Sequence, residues 1–66
     1  MYFLVTKEAI LEKLQQNVLP DGTSQFDFSR DMSAKHREQE LLDELEVEGV
    51  IQRLTVALGY ALYRLL

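Results

Sequence analysis

The chain opens on a short unbroken apolar and aromatic run, Met1 to Val5, rich in strand formers, and then changes to a helical period. Ile10, Leu14 and Val18 recur every four residues with Leu11 beside them, while Lys7, Glu8, Glu12, Lys13, Gln15 and Gln16 occupy the other side. That spacing predicts a helix with one apolar face over Lys7 to Val18. Thr6 suits its N-cap, because a hydroxyl there accepts from an early unpaired amide. Pro20 cannot continue the helix and Asp21-Gly22 is strong turn chemistry. In "SQFDF", residues 24 to 28, Phe26 and Phe28 alternate with Gln25 and Asp27. This predicts a short strand with one face buried, in need of a sheet neighbour.

A second helical pattern runs to Glu48, starting near Ser29 or Ser33, either of which suits an N-cap. With the earlier start, Asp31 falls in the first turn, where the helix dipole favours an anion. Leu41, Leu42 and Leu45 form its apolar stripe, with Glu38 and Met32 further back on the same side. Gly49 fits the left-handed position just past a helix end. The stretch Val50 to Leu66 holds β-branched Val50, Ile51, Thr55 and Val56 and aromatic Tyr60 and Tyr63, which favour strands. A turn at Leu58-Gly59 makes it a hairpin with Val56 opposite Ala61. In that register Arg53 meets Arg64, a like-charge pair that a longer turn or a shifted register avoids. The spacing of Leu54, Leu58 and Leu62 by four leaves a helix as the other reading.

The predicted order is β-α-β-α-β-β. It describes a single α+β domain over residues 1 to 66, with two helices packed on a small antiparallel sheet that ends in a hairpin. Hydrophobic residues make up 47% of the chain and charged residues 27%, which is a globular composition. A domain this short is marginal alone and often gains from a disulfide, a metal or a second subunit. With no cysteine present, the remaining routes are a dense core or self-association. The lack of cysteine also fits a reducing compartment. The longest charge-free run of the apolar tail, Leu54 to Tyr63, is ten residues, half of what a spanning helix needs. The N-terminal residues lack the basic region and small-residue cleavage site of a secretory signal. The expectation is a cytoplasmic protein with no membrane contact.

"ELLDELEVEGVIQRLTVALGYALYRL" resembles the end of a winged-helix domain, in which a leucine-and-glutamate helix end, a glycine and an aliphatic pair lead into a two-stranded wing. The residues that carry the resemblance are Leu42, Leu45, Glu46, Glu48, Gly49, Val50 and Ile51, followed by the hairpin from Gln52 to Leu66. The first helix and "SQFDF" sit where that family places a helix and a small strand. The resemblance implies a winged-helix-like fold and DNA contact by the second helix. The chain departs from it in having room for one helix, not two, between the first helix and the wing, so the supporting helix is shortened or absent.

Charge bears on the same question. Eleven acids stand against seven bases, a net charge of −4, the wrong sign for a simple phosphate-binding surface. The densest basic cluster is Lys35, His36 and Arg37, with Arg30 just before it. At the start of a recognition helix these four residues would approach the major groove, but Glu38, Glu40, Asp43 and Glu44 follow at once. His36 is the only histidine, and a lone histidine with Glu40 four residues on lacks the third ligand of a metal site. Asp43, Glu44, Glu46 and Glu48 crowd the end of the second helix, where the dipole prefers cations. They offer an acidic face to a basic partner, or are compensated within the fold by Arg53 and other bases. No glycine-rich phosphate loop, paired catalytic carboxylates or serine with an arranged base is present, so no catalytic residue, cofactor or small-molecule site is assigned. The chain therefore reads as a small non-enzymatic regulatory or protein-interaction module, expected to form a homodimer or bind another protein. The alternative is a DNA-binding regulator using Arg30, Lys35, His36 and Arg37 with residues 54 to 60 as the wing.

Overall fold

The computed structural model describes residues 5–66. Helices α1 (Lys7–Gln16) and α2 (Met32–Val47) and strands β1 (Ser24–Asp27), β2 (Ile51–Val56) and β3 (Tyr60–Leu65) follow in the order α1-β1-α2-β2-β3. The strands form one antiparallel sheet in the order β1-β3-β2. The fold is thus α+β, with two helices on a three-stranded sheet and a hairpin at its end. The strand expected at Met1 to Val5 lies outside the described residues except for Val5, which is in no strand and packs against the core. Among the described residues no helix is long and apolar enough to cross a membrane.

The first helix begins as its sequence requires. Thr6 is its N-cap, with the hydroxyl accepting from the Ala9 amide at 3.1 Å. It ends earlier than its stripe suggests, and Val18 is a correction: instead of a third buried turn, it forms a bridge with Ser24 and its side chain is exposed. The helix has closed at its C-cap Asn17, and Pro20 pushes the residue before it, Leu19, towards extended backbone. The chain turns over Leu19 to Gly22, where the Gly22 amide donates to the Leu19 carbonyl at 2.9 Å. It then runs back beside itself, with the Leu19 amide donating to Thr23 and that of Gln25 to Asn17. Asp21 holds the turn by accepting from both the amide and the hydroxyl of Thr23, at 3.0 and 2.7 Å. These bonds hold the Asp21 carboxyl below its ordinary pKa.

The cap of α2 is a second correction. Asp31, not Ser29 or Ser33, is the N-cap, and its carboxylate accepts from the Ser33 amide at 3.1 Å. Ser29 is taken elsewhere: its amide and hydroxyl both donate to the buried Glu38 carboxylate, at 2.9 and 2.8 Å. Met32, expected on the buried stripe, stands at the exposed first turn. The rest of the stripe is as expected. Leu41, Leu42 and Leu45 pack with Ile10 and Leu14 of α1 and with Phe26, Ile51, Ala61 and Tyr63 of the sheet.

Helix α2 closes on Gly49 at φ +80°. The Gly49 amide donates to Glu46 and that of Val50 to Leu45, both at 3.1 Å, the paired bonds of a Schellman cap. Val50 completes the motif by packing on the core. A Cβ at Gly49 would meet nothing within 4 Å, so its substitution tests backbone conformation alone. Gly49→Ala is expected to cost about 1 kcal/mol from the left-handed geometry. For a domain of this size, that lowers Tm by roughly 4–8 °C in a thermal melt. Gly49→Asn, which tolerates that geometry better, should lose less.

The hairpin reading of the tail holds, and its register resolves the charge conflict. Val56 pairs with Ala61 and Thr55 with Leu62, as a turn at Leu58-Gly59 requires, and the Ala57 amide donates to Tyr60 at 2.8 Å. A one-residue bulge at Leu54 then shifts the pairing, so that Arg53 lies opposite Tyr63 and Gln52 opposite Arg64. The bulge removes the Arg53–Arg64 contact and turns Arg53 to the sheet face that carries Ile51, Tyr63 and the helices.

Candidate interaction surface

The four acids at the end of α2 divide between two bases. Lys7, on α1, pairs with Glu48 and lies 3.6 Å from Glu44. The Glu48 hydrogen bond raises the Lys7 pKa above its ordinary value. Arg53, on β2, pairs with Asp43, and Glu46 is 3.8 Å away. Burial works against the Arg53 cation, but the Asp43 and Glu46 carboxylates outweigh it and its pKa rises. Asp43, Glu44, Glu46 and Glu48 therefore form two bridges from α2, one to α1 and one to the sheet.

Those contacts also guard the sheet edge. An unpaired edge strand offers its amides and carbonyls to any other strand. Here β2 carries a bulge and an inward arginine, and the Arg53 amide donates to Glu46 at 2.9 Å. On the other edge, the Gln25 amide of β1 is taken by Asn17 at 3.2 Å. Strand addition at β2 is thus opposed by three separate features.

Beside Arg53 a shallow groove of about 160 Å³ lies between α2 and the hairpin, lined by Phe28, Gln39, Asp43, Arg53, Val56 and Tyr63. Burial pushes the Tyr63 hydroxyl above its ordinary pKa of 10.0, and neighbouring Arg53 opposes this in part. An acid whose folded pKa is raised favours the folded state while it stays neutral. Its contribution is complete below pH 10.0 and declines as the pH rises through the folded value. Urea melts of the wild type should therefore weaken as the pH rises past 10.0, and Tyr63→Phe should remove part of that decline.

The basic residues at the start of α2 are brought together only in part. Lys35 leans to the hairpin: its ammonium donates to the Leu58 carbonyl at 3.1 Å and sits 5.6 Å from the Phe28 ring centroid. His36 and Arg37 both meet Glu40, at 2.8 and 3.1 Å. Arg30 is exposed in the preceding loop and makes no ion pair among the described residues. The cluster thus faces outward around a carboxylate. Among the described residues, no group of three or more His, Asp or Glu is placed to hold a metal ion.

The hairpin exposes several apolar side chains. Leu54 is 39% exposed, Val56 55%, Leu58 92% and Tyr60 40%. Of the two tyrosines of β3, Tyr63 is buried and Tyr60 is not. Alternation along β3 explains the difference: Ala61 and Tyr63 face the helices, so Tyr60, Leu62 and Arg64 face away from them.

Comparison of the chain with protein-family models, with curated proteins and with solved structures gives no match.

Proposed function

We propose that this chain is a small non-enzymatic interaction module, winged-helix-like in plan but with a single helix between the first helix and the wing, that binds protein through its hairpin. One observation carries the reading. From Leu54 to Tyr63 the hairpin holds no charged residue, yet Leu54, Val56, Leu58 and Tyr60 all reach solvent. A wing that grips DNA needs cations for the phosphates, whereas an exposed apolar patch is what protein contacts use.

The DNA reading keeps one supporting observation. The Lys35–Leu58 bond joins the start of α2, the helix that carries His36 and Arg37, to the hairpin tip. Against it stand Glu40, which occupies both His36 and Arg37, and the net charge of −4.

The test is light scattering from micromolar to millimolar protein, together with a duplex-DNA mobility shift at low salt. Protein association that Leu58→Lys and Val56→Lys weaken, with no DNA shift, is the expected result. A chain that stays monomeric, recovers no protein partner and shifts DNA at low salt would overturn the reading.

A further inference from the structure

The helices cover one face of the sheet, and the opposite face carries its own pattern. Its centre is the exposed-side column of β3, Tyr60, Leu62 and Arg64. On β1, Asp27 lies across from Tyr60 and Gln25 from Leu62. On β2, Thr55 lies across from Leu62 and Gln52 from Arg64. The face therefore has an acid at one end, a cation at the other, and a tyrosine and a leucine between them. Four residues along a strand separate the Asp27–Tyr60 row from Arg64 by about 13 Å.

Among the described residues neither charge is held in an ion pair. Asp27 accepts from Gln25 at 2.8 Å. The Asp21 carboxylate is already engaged by Thr23, and Arg64 is a minor contributor to its lowered pKa.

We propose that this outer face binds a second copy of the chain, sheet on sheet, about a two-fold axis that crosses the strands at Leu62, so that Asp27 of each copy meets Arg64 of its partner. The inference rests on the interaction-module reading and names its partner. Charge complementarity selects both occupant and axis. Rotation about an axis across the strands carries the acidic row of one copy over the cationic row of the other and forms the pair twice. Rotation about an axis along the strands sets each row over itself and forms no such pair. The chosen axis also lays Leu62 on Leu62 and brings Tyr60 over the partner's arginine, within reach of a cation–π contact. Sheets stack about 10 Å apart, a gap that arginine and tyrosine side chains fill. The guarded β2 edge is consistent with this arrangement, because edge pairing is closed while the face stays open.

The test uses two charge variants of the full chain, D27R and R64D, at exposed positions where the fold tolerates change. Sedimentation should find the wild type dimeric, with dimerisation weakening as salt rises. Each variant alone places like charges at both contacts, so its dimer should dissociate at least roughly tenfold more readily. Mixed together, the two variants should restore a heterodimer. One copy then carries a cation at both positions and the other an acid at both, so each of the two contacts again joins opposite charges. Circular dichroism of each variant confirms that it is folded. A wild type that remains monomeric into the millimolar range, or single variants that dimerise as well as the wild type, would overturn the inference. If association survives the charge variants but falls with Leu58→Lys, this face is excluded while the hairpin reading stands.

Discussion

Leu42→Ala should cost about 3–5 kcal/mol, the upper part of the range for a buried leucine. Leu42 is fully buried in the middle of α2 and belongs to the cluster that joins both helices to the sheet. Truncation there removes contacts on two sides at once, because α2 packs on α1 and on β2. Neither neighbour can close over the cavity without leaving the other. Domains carry roughly 0.05–0.15 kcal/mol per residue, which for a chain of this length is about 3–10 kcal/mol in all. The substitution should therefore leave a protein that is partly unfolded before denaturant is added, seen as a lost baseline in a urea melt followed by circular dichroism. Val47→Ala on the same helix is the control, since Val47 is exposed and should change stability by no more than about 0.5 kcal/mol. Equal effects from the two substitutions would mean that α2 presents a different face to the core.

Features fixed by neighbouring residues were readable before the structure. Thr6 precedes a run of good helix formers, so its hydroxyl had one obvious use, and it caps α1. Gly49 follows the last leucine of a stripe, and a left-handed residue is needed there. Val56 opposite Ala61 follows from the position of the turn. Features settled by distant residues were not readable. Ser29 and Ser33 both suit a cap by sequence, yet Asp31 caps α2 while Glu38 holds Ser29. The bulge at Leu54 was signalled only as a conflict between Arg53 and Arg64. Its solution depends on Asp43 and Glu46 waiting on α2 for Arg53.

The surfaces divide in the same way. The acids of α2 leave two readings open in the sequence, an acidic face or compensation by Arg53 and other bases, because one of their partners, Lys7, lies 41 residues before Glu48. The outer face of the sheet was missed because both columns of β3 are largely apolar: Tyr60 and Leu62 on one side, Ala61, Tyr63 and Leu65 on the other. Arg64 was the available signal. An arginine at the end of one column marks that column as the solvent side, which exposes Tyr60 and buries Tyr63.

Glu38→Ala is the second large effect expected, at about 2–3 kcal/mol. Glu38 is 3% exposed, and its two carboxylate oxygens separately accept the Ser29 amide and hydroxyl. Hydrogen bonds to a charged group contribute more than neutral ones, and removing the acceptor also leaves a part-buried amide and hydroxyl without partners. The bonds span the connection between β1 and α2, so they hold the start of the helix against the sheet. Glu38→Gln keeps one acceptor oxygen but loses the charge and presents an amino group to one of the two donors, so it should fall between wild type and alanine. Ser29→Ala removes only the hydroxyl and should cost about 1 kcal/mol. A double-mutant cycle between Ser29→Ala and Glu38→Ala should give a coupling of at least about 0.5 kcal/mol, as expected for groups in direct contact. Additive effects would mean that the carboxylate turns to water in solution, in which case amide exchange at Ser29 would be no slower than in the neighbouring loop. A coupled result, with a protected Ser29 amide, assigns the buried acid the structural task of holding Ser29 away from the cap of α2.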